Sequence, residues 1–230
     1  LERTALSVNV RERLDFSCAL LDRAGYLVAN APHIPVHLGA MGVCARHLLE
    51  LFPDLRPGDV LVSNHPAFGG SHLPDVTVLA PVFGTGDKPF CFLANRAHHA
   101  EIGGVSPGSM PAGTSSLSEE GIVISPRLLF EAGESRMDQL GELLRSSSHP
   151  SRQPEQNLAD LSAQVASLRK GIEGLDELVK AHGEDTLAEQ MDALREESSA
   201  SCSRFIKEMG ECEFSALQAL DDGDRLALRV

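Results

Sequence analysis

The chain has 230 residues, enough for one large domain or two small ones, and its 42% apolar and 23% charged content marks a globular protein. A formal charge of −13 argues against a basic face for nucleic acid or anionic membranes, and the excess is concentrated in 131–230, with 21 acidic against 11 basic residues. Five cysteines, odd in number, scattered and without a C-x-x-C pair, point to reduced thiols in a cytoplasm, and no segment has the length or flanks of a membrane span or signal peptide.

Residues 14–22 read as a strand, 23–25 as a turn and 26–29 as the returning strand of a hairpin. The prolines of 31–37 forbid helix there. Leu38, Met41, Ala45, Leu48 and Phe52 then recur at helical spacing, which puts His37 at a helix start. Short apolar strands are expected at 59–63, 76–83 and 90–94. The Gly-, Pro- and Ser-rich stretch 104–113 reads as a long loop, and long loops in compact domains are functional or disordered. A further strand-like run, Gly-Ile-Val-Ile-Ser, occupies 121–125, and 146–151 marks a boundary or exposed hinge.

After Asn157, an expected N-cap, apolar residues at 158, 161, 165, 168, 172, 175 and 179 predict an amphipathic helix. A second helix follows His182-Gly183, and Asp-Asp-Gly-Asp at 221–224 predicts a closing hairpin. The expected fold is α+β: a mixed sheet with histidine-rich loops on one rim, then a long antiparallel helical pair. The division expected is 1–150 for the α+β region, 151–211 for the helices and 212–230 for the start of a further, truncated β segment. The ordered sequence at Leu1 suggests a piece of a longer polypeptide.

Seven of the nine histidines precede position 100, and four of them fall in two islands, 64–75 and 95–104. Each island joins imidazoles and carboxylates to Gly/Pro turns beside an apolar strand, which is how a scaffold presents metal ligands on its loops. His72 and Asp75 are three apart, one of the adjacent pair His98 and His99 can face them, and Asp15 can arrive from the first hairpin. Such an imidazole and carboxylate set suits Mn, Zn or Fe rather than a thiolate-rich structural zinc site. The competing explanation is ordinary, since His and Asp also cap turns through local hydrogen bonds. Phe68-Gly-Gly and Ile102-Gly-Gly lack the spacing of a phosphate-binding loop.

Six ordered segments carry a family resemblance: Arg-Leu-Asp-Phe-Ser-Cys-Ala-Leu at 13–20, Ala-Pro-His-Ile-Pro-Val-His-Leu-Gly-Ala-Met at 31–41, Pro-Gly-Asp-Val at 57–60, 64–78, 97–104 and Pro-Gly-Ser-Met-Pro at 107–111. They resemble the hydantoinase B/oxoprolinase family, and the likeness continues into 157–166. Asn-His-Pro at 64–66 and Ala-Pro-His at 31–33 look most like its ATP-dependent 5-oxoprolinase branch. Glu101 stands where the family usually has Asp.

The resemblance implies the hydrolytic half of a machine that opens a small cyclic amide such as 5-oxoproline or a hydantoin. An ATP-binding, hydantoinase A-like subunit or domain would phosphorylate the ring carbonyl. The half resembling this chain would carry a divalent metal at Asp15, His72, Asp75 and His98. His99, His33 and His37 are then candidates for proton transfer and Glu101 for orienting an imidazole. Two alternatives stay open: an acetone-carboxylase-like metal subunit, or an inactive binding or regulatory fragment of the same fold. Whether the chain forms a homo-oligomer is also open.

Overall fold

The computed structural model describes residues 1–31, 34–210, 213–220 and 223–229. A short helix α1 (Val8–Arg11) leads into the hairpin β1 (Phe16–Asp22) and β2 (Leu27–Ala31), and helix α2 (Pro35–Leu51) follows. Next come β3 (Val60–Ser63), a single 3-10 turn at Pro66–Phe68, and the long hairpin β4 (Asp75–Phe83) and β5 (Pro89–His98). After α3 (Leu117–Glu120) come β6 (Arg127–Glu131), β7 (Glu134–Ser135) and α4 (Met137–Ser146). The chain then runs through α5 (Pro154–His182), α6 (Glu184–Met209), β8 (Ser215–Ala219) and β9 (Arg225–Arg229).

The α+β class is as expected, and β1 to β7 form one sheet in the order β2-β1-β5-β4-β3-β6-β7. A mixed sheet was expected; every pairing in it is antiparallel. The reason is connectivity. Tight hairpins join β1 to β2 and β4 to β5, and the helical connection α2 links β2 to β3, which are not neighbours.

The sheet is sandwiched between two helical layers, and strand alternation decides what faces each. Ala19, Leu21, Leu61, Leu79, Phe92 and Ala94 pack against Met41, Cys44, Ala45 and Leu48 of α2. Val62, Val76, Val78 and Ala80 pack on the other face against Leu140 and Leu144 of α4 and Leu161, Val165 and Leu168 of α5. Burial on both faces explains why β4 is a nearly unbroken apolar run rather than an alternating one. Each fully buried Leu or Val contributes about 1.5–3 kcal/mol, so this double burial is what holds the sheet in register.

Two compact units divide the chain, Leu1–Asp192 and Ala193–Val230. Helix α5, expected to open a separate helical part at 151, belongs to the first unit because its apolar stripe lies on the sheet. Gly183, at φ 84°, is the one residue between α5 and α6, and Met191 of α6 packs with Leu175 of α5. The second unit holds the rest of α6 and the hairpin β8/β9, paired from Ser215 with Arg229 to Ala219 with Arg225. Among the described residues no helix is long and apolar enough to cross a membrane.

The run 121–125, expected as a strand, is not one. Its hydrogen bonds are irregular instead: Asn64 Oδ1 accepts from Ile124 N and Asn64 Nδ2 donates to Ile122 O, while Ile122 N donates to Ile102 O and Asn64 N to Ile124 O. Asn157, expected to cap α5, lies inside it, and the helix starts one turn earlier at Pro154, a residue suited to a first turn because it has no N–H to satisfy.

Candidate metal centre

The register of three strands brings the acidic and imidazole groups to one place. Asp75 opens β4 and His98 closes β5, directly opposite each other, while Phe16 at the start of β1 pairs with Ala97. Side chains on one face of the sheet recur at every second residue, so Ser17, Asp75, Thr77, Arg96 and His98 all point toward α2. His37 meets them from the first turn of α2.

Asp75 is the hub and is fully buried. Its Oδ2 lies 3.2 Å from His37 Nε2 and 3.1 Å from His72 Nδ1, and accepts a hydrogen bond from Ser71 Oγ at 2.5 Å. Its Oδ1 lies 3.2 Å from His98 Nδ1. The same nitrogen is 3.2 Å from His72 Nε2 and 3.9 Å from Asp15 Oδ2. His72, Asp75 and His98 thus each offer a ligand atom, all within 4.8 Å of one another. Accessibility grades outward, with Asp75 at 1%, His98 at 14%, Asp15 at 25% and His72 at 36%.

Burial pushes the Asp75 carboxyl upward, but hydrogen bonds from His37, His72, His98 and Ser71 outweigh it and hold the group well below the usual carboxylate range. Asp75 is therefore ionised. The hydrogen bond to Asp75 raises His72 against the opposing effect of burial. Donor atoms around one ion at about 2.0–2.2 Å stand about 3.0–3.5 Å apart, and the 3.2 Å separations of His98 Nδ1 from His72 Nε2 and Asp75 Oδ1 match that spacing. The residues fit a divalent cation of the Mn, Zn or Fe kind.

His99 points the other way, as the alternation at a strand end requires. It is fully buried, its Nε2 at 3.1 Å from Gln164 Oε1 and its Nδ1 at 3.2 Å from Asn157 Nδ2, so the ring is locked against α5 rather than free to move protons at the cluster. Burial lowers its pKa and keeps it neutral. Among the described residues the Glu101 carboxylate meets no imidazole. The carboxylate accepts from the backbone N–H groups of Gly103 and Arg152 and so shapes the 101–104 loop. His37 touches Asp75 directly and is fixed from behind by Ser17 Oγ at 3.2 Å. His33 lies outside the described residues.

Sequence reasoning missed Ser17, Ser71 and Arg96. Arg96 is fully buried, donating from Nε to Thr77 Oγ1 at 2.7 Å and from Nη2 to Gly69 O at 2.8 Å, and so ties the loop that carries Ser71 and His72 to the sheet. A lone arginine inside an apolar strand was the available signal, because a buried charge demands partners.

A cavity of about 440 Å³ opens beside the cluster, lined by His72, Ser109, Met110, Pro111 and Glu120. A larger one of about 780 Å³ lies by the β4–β5 turn, bordered by Phe52, Lys88 and Glu184, with no histidine among the described residues that line it. The larger volume is remote from the donors, since the turn and the cluster are at opposite ends of β4 and β5.

The family description "Hydantoinase B/oxoprolinase" matches residues 1–230. The 5-oxoprolinase of Saccharomyces cerevisiae is 42% identical over 241 residues, covering all of this chain and 19% of that protein. The ATP-dependent caprolactamase of Pseudomonas jessenii shares the fold with a TM-score of 0.82 and 26% identity, over 91% of this chain and 36% of that one. An acetone carboxylase shares the fold alone, with a TM-score of 0.73 and 22% identity over 81% of this chain and 24% of that one. This chain therefore spans about a fifth of the yeast relative it matches from end to end. With a match along its whole length, the chain belongs to the hydantoinase B/oxoprolinase family.

Proposed function

We propose that this chain is the metal-dependent hydrolytic component of an ATP-dependent cyclic-amide hydrolase that opens 5-oxoproline or a related ring. It works with an ATP-binding, hydantoinase A-like subunit or domain. The observation that carries this reading is the meeting of His72, Asp75 and His98 within 4.8 Å, in a chain of this family. Asp15 completes the donor set. Four free cysteines among the described residues favour a reducing compartment, the cytoplasm.

An amide carbonyl is a poor electrophile and its nitrogen a poor leaving group, so activation by phosphorylation belongs to the partner. A divalent ion, which Asp15, His72, Asp75 and His98 would hold, would supply Lewis acidity and a water of lowered pKa. Asp75 brings the negative charge that attracts the ion, and the buried His37, wedged between Ser17 and Asp75, fixes the carboxylate's direction. His72 is the most exposed of the set and marks the side from which substrate approaches. The 440 Å³ cavity lies on that side.

The test is turnover by the complete protein with its ATP-binding partner, alongside its metal content. ATP-dependent opening of 5-oxoproline, an equivalent of Mn, Zn or Fe, and loss of both turnover and metal in His72→Ala with nucleotide binding intact are expected. Bicarbonate-dependent carboxylation of a ketone, or full turnover by metal-free protein, would overturn the reading.

A further inference from the structure

The cavity beside His72 also has an acidic lining residue. Glu120 closes α3 and lines the same 440 Å³ space as His72, together with Ser109, Met110 and Pro111. That volume lies within the range of about 300–1,000 Å³ typical of small-molecule sites. We propose that Glu120 is the substrate's nitrogen-recognition residue: its carboxylate accepts the N–H of a small aliphatic cyclic amide and then pairs with the ammonium that ring opening releases. The inference rests on the hydrolytic reading above.

Three features build the site. Ser109 is a non-glycine residue at φ 53°, and such backbone strain persists only where surrounding bonds impose it. Here its Oγ accepts from Ile102 N at 2.8 Å and donates to Gly103 O at 2.6 Å, so the loop carrying Met110 and Pro111 is pinned in place. Gly104, at φ 90°, lets the backbone approach the other wall: a Cβ there would stand 2.5 Å from Glu120 O. Val105 N donates to Glu119 O at 2.8 Å and Ile122 N to Ile102 O at 2.8 Å, which fixes α3 against the same loop. Finally, Met110 is 70% exposed beside Pro111, an apolar wall left open to solvent that suits the methylenes of a ring.

The chemistry matches end to end. A cyclic amide presents a carbonyl on one side and an N–H on the other; hydrolysis leaves a carboxylate and an amine, which is protonated near neutral pH. With the carbonyl directed to the His72 side, the nitrogen falls toward Glu120, and the charge of the ammonium grows as the product forms. A carboxylate there binds the opened product more strongly than it binds the ring, so Glu120 also separates amine-bearing ligands from neutral ones. Among the described residues its side chain makes only a long contact with Thr114 Oγ1, at 3.4 Å, leaving it available to a ligand.

The test is calorimetric titration of the full-length, Mn²⁺-loaded protein with γ-aminobutyrate and with N-acetyl-γ-aminobutyrate. Wild type should prefer the free amine by about ten-fold or more, as a charge-assisted hydrogen bond requires. Glu120→Gln should erase that preference without changing Mn²⁺ affinity or thermal midpoint, and Glu120→Asp should retain part of it. Equal binding of the two probes by wild type, or an undiminished preference in Glu120→Gln, overturns the assignment. The same titrations without metal separate the two readings. An amine preference there that Glu120→Gln removes upholds this site even if Mn²⁺ fails to bind, a result that would sink only the metal reading.

Discussion

Asp75 and His98 are cross-strand partners at the ends of β4 and β5, their Oδ1 and Nδ1 atoms 3.2 Å apart. Because the hydrogen-bond ladder fixes both backbones, the pair is preorganised, and neutralising the carboxylate should be felt directly in metal capture. Asp75→Asn is expected to lower Mn²⁺ or Zn²⁺ affinity by more than about 100-fold, and His37→Gln by about 10–100-fold, as for an outer-shell partner. Competition with a chromophoric chelator measures both. Wild-type affinity in Asp75→Asn would remove Asp75 from the donor set.

The loop before His72 depends on one backbone conformation. Gly69 has φ 82°, and a Cβ there would stand 2.5 Å from Cys44 N in α2. Left-handed backbone alone costs a side chain about 1–2 kcal/mol, and displacing helix backbone adds to it. Gly69→Ala should therefore destabilise the fold by at least about 2 kcal/mol in urea titration, while Gly86→Ala, where a Cβ meets nothing within 4 Å, should not.

Acid should weaken the packing of α5 on the sheet through His99. Burial holds its pKa below the ordinary range, against the charge of Asp160 and the Gln164 hydrogen bond. The unfolded chain, with histidine near about 6.5, takes up protons that the folded one refuses, so stability is complete above that pH and declines as pH falls through it. His99→Gln should be less stable throughout but show a shallower loss between about pH 7.5 and pH 5. An unchanged slope in the variant would show that His99 is not the source.

The thiols should separate by burial. Burial pushes Cys91 up to about 12, with the Glu184 charge adding to it, and burial also raises Cys44. Thiolate is the reactive form, so mildly alkaline iodoacetamide should label exposed Cys202 in the native protein and reach Cys44 and Cys91 only on unfolding. Peptide mass mapping reads the order. Early labelling of Cys91 would contradict the burial of β5 between α2 and α5.

The elements legible in the sequence are those whose periodicity matches their burial. The turn at 23–25 between two apolar runs gives the first hairpin, and the three-and-four spacing from Leu158 gives α5. Residues 126–146 offered no such signal: β6 is a five-residue strand with only partial burial, β7 is a two-residue exposed edge strand, and α4 is a ten-residue helix. The run 121–125 misleads because it is apolar and extended, yet much of its hydrogen bonding goes to the Asn64 side chain, which no pattern reveals. At the candidate site, the loops at strand ends are readable from the two islands. That β1 lies beside β5, placing Ser17 next to His37, is a long-range pairing invisible to local spacing. The alternation rule predicts that His98 and His99 diverge, but only packing decides which of them faces Asp75.

The order of assembly follows from the strand order. His72, Asp75 and His98 all belong to the β4–β5 hairpin and the loop leading into it, so one local folding event gathers them. Asp15 joins when β1 reaches β5, which closes a loop containing β2, α2, β3 and β4, and His37 joins when α2 packs on the sheet. Closing so long a loop is the slower, entropically dearer step. The folding chain is thus expected to gather His72, Asp75 and His98 before the β1–β2 hairpin docks, leaving the cluster without Asp15 until that later step.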